Sequence, residues 1–89
     1  MAAQFPAPPL SADDLLVLLA VARSGRYTSA AQQLGLNHTT IARRIAALEA
    51  QLGGRLLSRD GAGWELTPLG SRALAAAEDV ERALGRLDE

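Results

Sequence analysis

The sequence predicts a mainly α-helical domain completed by a short β-hairpin, and three stretches carry that prediction. Residues 28–53, TSAAQQLGLNHTTIARRIAALEAQLG, hold two helical segments joined by a very short turn. Residues 69–87 place apolar side chains at 4-3-4-3-4 spacing, the seam of a long helix. Between them RLLSR and WELT flank DGAG, two short alternating runs around turn residues.

The totals bound the rest. A chain of 89 residues is one small domain. Such a chain buries only about 60–65% of its unfolded surface, so its stability is expected to be marginal unless something adds to it. With no cysteine and one histidine there is no disulfide framework and no zinc set. No stretch approaches the roughly 20 apolar residues of a membrane span, and the N-terminus has no signal-peptide pattern. A cytoplasmic protein is expected, with no cofactor, no metal, no small-molecule ligand and no membrane partner. The lone histidine, the missing thiol and the absence of an acid cluster among the arginines leave no catalytic pair, so no enzyme is expected.

Net charge is -1, which alone argues against a nucleic-acid partner. Its distribution argues for one. Between Leu15 and Arg59 there are six arginines and one acid, Glu49, while the C-terminal third is acidic. A local basic surface holds phosphates whatever the total.

Taken in order, residues 1–10 carry three of the four prolines and no period, and are expected to be a flexible arm. The arm has no basic side chain with which to enter a minor groove. Ser11 with Asp14 resembles a capping box, opening a first helix that runs to about Arg23. Its centre, LLVLLAVA, is apolar all round and must be covered on every side, by the C-terminal helix or by a second subunit. Tyr27 is expected to plug the gap before the second helix, and Thr28 to cap it, alone or together with holding a phosphate. That helix spans Ser29 to Leu34, with Ala30, Ala31 and Leu34 on its apolar face. Gly35 ends it, Leu36 is buried in the turn, and Asn37 caps the third helix through the Thr39 or Thr40 amide. Ile41, Ile45, Leu48 and Leu52 face the core, leaving His38, Thr39, Ala42, Arg43 and Ala46 outside. In the hairpin, Trp64 and Leu66 point inward and Glu65 outward. Thr67-Pro68 opens the last helix as cap and first residue.

Short helix, glycine turn and a longer helix with polar residues on its first exposed turn form a helix-turn-helix. The predicted fold is therefore a winged helix-turn-helix. Its helix-turn-helix spans about 29–52, its wing about 55–67 and the domain 11–67, followed by a C-terminal linker or dimerisation helix over 68–89.

The residues AAQQLGL, Ile41, Arg43, Ile45, ALEAQLG, RLLSR and LTPLG resemble the N-terminal domain of LysR-type transcriptional regulators, over about residues 10–87. Ala42 stands where that family usually has Ser, Leu57 where it usually has Phe, and Ala62 and Gly63 where basic residues are frequent. The resemblance implies sequence-specific binding of double-stranded DNA as a homodimer, the third helix lying in the major groove. His38 can donate to or accept from a base edge, Thr39 and Thr40 offer hydroxyls or methyls, Ala42 meets a thymine methyl, and Arg43 pairs with guanine. Thr28, Asn37, Arg44 and Arg59 are placed to hold the backbone. Leu69, Ala73, Ala76, Val80, Ala83 and Leu87 form the expected dimer seam, where small alanines let a second helix approach. The alternative is a winged-helix protein–protein module that does not bind DNA.

Overall fold

The computed structural model describes residues 10–60 and 63–88. Its elements run α1 (Ala12–Ser24), α2 (Tyr27–Leu34), α3 (His38–Leu52), β1 (Leu57–Asp60), β2 (Gly63–Leu66) and α4 (Pro68–Arg86). The winged helix-turn-helix expected from the sequence is thus the fold observed. The arm expected over 1–10 lies outside the described residues except for Leu10, which packs against the core. Ala62 at the wing tip lies outside them too.

The helix ends follow local chemistry. Ser11 Oγ accepts from the Asp14 amide at 3.5 Å, and Asn37 Oδ1 from the Thr40 amide at 2.9 Å. Thr67 Oγ1 accepts from the Gly70 amide at 2.9 Å, with Pro68 in the first turn. Three helices close on glycine in the left-handed region, Gly25, Gly35 and Gly53, which no side chain occupies without strain.

One cap differs from expectation. The residue preceding α2 is Arg26, and Thr28 lies inside the first turn. Ser24 causes this: its hydroxyl donates to the Arg26 carbonyl at 2.9 Å and accepts from the Arg26 amide at 3.4 Å. The chain is thereby turned early enough for Arg26 to accept the first helical bond, from Ala30 at 3.1 Å. Two other apolar expectations are also corrected. Leu36 is half-buried, and Leu34 is 40% exposed because it borders the shallow grooves beside α1 rather than the core.

α1 is the central strut. Leu15, Val17, Leu18, Leu19, Ala20 and Val21 are all buried. α2 and α3 cover part of it, and α4 covers the face that the sequence left open between two possibilities. Ile41, Ile45 and Leu48 of α3 meet α1 from below, with Leu52 half-buried at the end. The strands pair antiparallel, Leu57 with Leu66 and Arg59 with Trp64. Leu57 is buried, Trp64 and Leu66 are half-buried, and Glu65 faces out, as the alternation predicts. Leu56, fully buried, fastens the hairpin: its carbonyl accepts from the Thr67 amide at 3.0 Å.

In α4 the expected seam divides. Ala73 is core, at 6% exposure, because it turns with Gly70 and Ala77 toward the body of the chain. Leu69, Ala76 and Val80 flank that contact half-buried, and Ala83 and Leu87 are exposed.

Candidate nucleic-acid interface

The outward face of α3 is set by its inward one. With Ile41, Ile45 and Leu48 fixed in the core, His38, Thr39, Ala42, Arg43 and Ala46 are all exposed. The helix cannot rotate to hide them without exposing its buried stripe.

At its N-terminus the cap shapes the chemistry offered. Asn37 Oδ1 accepts from the Thr40 amide, from Thr39 Oγ1 at 2.7 Å and from Thr40 Oγ1 at 3.0 Å. A backbone amide can only donate, so the Asn37 oxygen faces the helix and its amino group faces away. Each threonine hydroxyl has one proton, and both are directed at Asn37. What Thr39 presents outward is a lone pair and a methyl. That suits a base amino group or a thymine methyl better than a phosphate, which can only accept.

The arginines sort into two groups. Arg23 makes a two-pronged pair with Glu81 (2.7 and 2.8 Å), Arg44 reaches Asp14 at 3.2 Å, and Arg55 reaches Glu49 at 3.4 Å. Arg26, Arg43 and Arg59 make no ion pair among the described residues. The basic stretch therefore spends half of its charge internally. Arg44, expected to reach a phosphate, leans instead on α1. Among the described residues, Arg43 is left as the unpaired arginine of the exposed α3 face.

Arg59 sits with its guanidinium carbon 5.6 Å from the centroid of Trp64, over the ring. Trp64 stacks on Tyr27, centroids 5.6 Å apart and planes at 22°. The wing is thus laid against the first turn of α2, where Thr28 and Arg26 also stand. Burial pushes the Tyr27 phenol above its ordinary value; Glu49 adds to this and Arg55 opposes it.

Two contributors escaped the sequence reading. Glu49, counted only as the lone acid, accepts from the Leu56 amide at 3.0 Å and pairs with Arg55, tying the end of α3 to the wing. The signal was its solitude among arginines. Arg26 is the other; its place after Gly25, at the mouth of α2, is the sign the sequence carries. Among the described residues no cluster of His, Asp and Glu could hold a metal ion, and no helix is long and apolar enough to cross a membrane.

The sequence model of the bacterial regulatory helix-turn-helix proteins, lysR family, matches residues 12–71. The chain belongs to the lysR family. An uncharacterized HTH-type transcriptional regulator of Mycobacterium bovis is 38% identical over 78 residues, covering 80% of this chain and 25% of its own length. The AhcY transcriptional activator HvrB of Rhodobacter capsulatus is 42% identical over 72 residues, covering 81% of this chain and 24% of its own. The lysR-family chain described here therefore spans about a quarter of the length of these curated relatives. Among solved structures, a CbnR DBD–DNA complex matches with TM-score 0.78 and 35% identity, over 89% of this chain and 91% of that one. The lysR family's helix-turn-helix occupies α2 and α3 here, and the hairpin follows as its wing.

Proposed function

We propose that this chain is the DNA-binding domain of a LysR-type transcriptional regulator, which binds double-stranded DNA sequence-specifically as a homodimer. The observation that carries the proposal is Arg43. It is exposed, and without an ion pair among the described residues, on a face that the core holds outward, in a basic stretch where three of the six arginines, Arg43 included in the six, are paired. The likeness to a domain solved with DNA supports it.

In this reading α3 enters the major groove. His38, Thr39, Ala42 and Arg43 face base edges, with Thr40 at the margin. Asn37, through its outward amino group, Thr28, Arg26 and Arg59 hold the backbone, and Arg44 joins them only by leaving Asp14. α4 supplies the dimer contact through Leu69, Ala76, Val80, Ala83 and Leu87, with Ala73 behind them. The role is binding rather than catalysis, in the cytoplasm, and uses no cofactor. A protein–protein module is not favoured, because it gives Arg43 and the polar first turn of α3 no task.

The test is a titration of duplex DNA at rising salt. Log affinity should fall linearly with log salt, as counterions released from phosphates require. Absence of salt-dependent binding to any duplex would sink the proposal.

A further inference from the structure

We propose that Trp64 is a positioning residue of the wing, holding the Arg59 guanidinium against the first turn of α2 to receive a DNA backbone phosphate. The inference rests on the DNA-binding reading above and goes beyond it by assigning how the wing makes its contact.

Arg59 is an odd occupant of its place. The register puts it directly opposite Trp64, on the strand face that carries Leu57 and Leu66 toward the core. A guanidinium there must be drawn out to water or be given a surface to lie on. Trp64 gives it one, with the guanidinium carbon above the ring at 5.6 Å. The ring face attracts a cation through its quadrupole, while the N–H donors around the guanidinium edge stay free for an anion.

The same indole also fixes where those donors are. It stacks on Tyr27, the first residue of α2. Tyr27 is itself half-buried and packed on the core. Arg59 is therefore referenced, through two rings, to the helical body rather than to a hairpin free to sway. A lone two-stranded hairpin is marginal by itself, so this anchorage matters. An arginine already held in one orientation loses less freedom on meeting a phosphate than one that sweeps through solvent. Arg26, one residue before Tyr27, brings a second guanidinium that makes no ion pair among the described residues to the same end of α2.

The experiment uses mixed-sequence duplex DNA, because a phosphate contact needs no target site. Affinity is measured against salt for the intact chain, Trp64→Leu, Arg59→Gln and the double variant, with folding checked by thermal melting. Trp64→Leu keeps apolar bulk and removes the ring face. It should weaken binding about two- to fivefold, the size of an exposed cation–π contact, and lower the salt slope by up to about one unit. On the Arg59→Gln background it should have no further effect, and Trp64→Phe should restore most of the loss. Trp64 is the sole tryptophan, so its emission is a second readout that does not need Trp64 to be replaced. Saturating duplex should shift it in the intact chain and leave it nearly unchanged in Arg59→Gln. This arm decides the matter should Trp64→Leu fail to fold. Independent, additive losses in the two single variants, or emission that ignores bound DNA, would overturn the assignment while leaving DNA binding intact. A chain that binds no duplex at low salt overturns both.

Discussion

The backbone of Gly70, in the first turn of α4, lies directly against the carbonyl group of Leu56. A β-carbon on Gly70 would overlap that oxygen and stand 3.0 Å from its carbon and 3.1 Å from Leu66 Cδ2. The Leu56 carbonyl cannot retreat, since it accepts from Thr67 and its own side chain is fully buried. Intrinsic propensity favours alanine over glycine in a helix by about 1 kcal/mol. Overpacking against a fixed neighbour costs about 1–3 kcal/mol or more. We expect the clash to win, so that Gly70→Ala lowers the denaturant midpoint. Gly85, later in the same helix, meets nothing within 4 Å. Gly85→Ala should therefore hold or raise the midpoint. A Gly70→Ala protein as stable as the parent would show that the wing and α4 do not meet this closely.

Arg43 and Arg44 are neighbours in sequence with opposite surroundings, and their alanine variants should separate accordingly. Arg43→Ala should relax preference at one base position by the roughly 1–3 kcal/mol of an arginine–guanine pair. Arg44→Ala removes a partly exposed pair with Asp14. It should cost stability, within about 1 kcal/mol, while leaving sequence preference in place. The check is a binding titration of each variant against single-base changes in a selected site. A uniform loss across all sites for Arg43→Ala would make that residue a phosphate contact instead.

Ala76 is half-buried beside Leu69 in the groove that flanks α4, and Ala75, next to it, is exposed. In a two-helix contact through this flank, Ala76→Glu places like charges and surplus volume across the seam. Sedimentation should show it as a monomer, with weakened binding to paired half-sites. Ala75→Glu should remain dimeric. An unchanged dimer in Ala76→Glu would move the self-association surface elsewhere.

The Arg23–Glu81 pair gives a pH dependence with a definite sign. The hydrogen bond to Arg23 holds the Glu81 carboxyl below its ordinary value, with Coulomb attraction to Arg23 adding to it. A depressed acid stabilises the fold while ionised. Its contribution is complete above the usual glutamate value of about 4.3 and is lost as pH falls through the lower folded value. Glu81→Gln should flatten the acid limb of stability in that window, as measured by thermal melting against pH. Both side chains are well exposed, so the change should also shrink at high salt. An acid limb identical in Glu81→Gln would mean that other carboxylates carry it.

What could be read from the sequence was local in cause. Ser11, Asn37 and Thr67 cap because a hydroxyl or amide oxygen lies within three residues of a free N–H. The α3 stripe and the hairpin register follow from periods of 3.6 and 2. Thr28 misled because it has the right chemistry two residues too late; Ser24 had already organised the chain at Arg26. The remaining misses depend on residues far apart in the chain. Asp14 reaches Arg44, Glu49 reaches past the glycines to Leu56, Gly70 makes room for Leu56, and no period announces any of them. The division of the α4 seam at Ala73 was hidden for a related reason. A 4-3 repeat says that a helix has an apolar stripe, but not which edge of it the chain's own body will take.

The far end of α4 has a consequence of its own. Its last fully buried residue is Ala77, and from Glu81 to Asp88 every residue is exposed, with Leu87 at 81%. Apart from Arg23 at Glu81 and the exposed Arg82–Asp79 pair within the helix, the final turns show no side-chain hydrogen bond among the described residues. Short helical ends of that kind open at little cost in free energy. In the proposed two-helix contact a second chain shelters them, so their hydrogen-exchange protection should rise with protein concentration. On that proposal, folding of this tip is a step of assembly, and the order of these final turns reports how many chains are present.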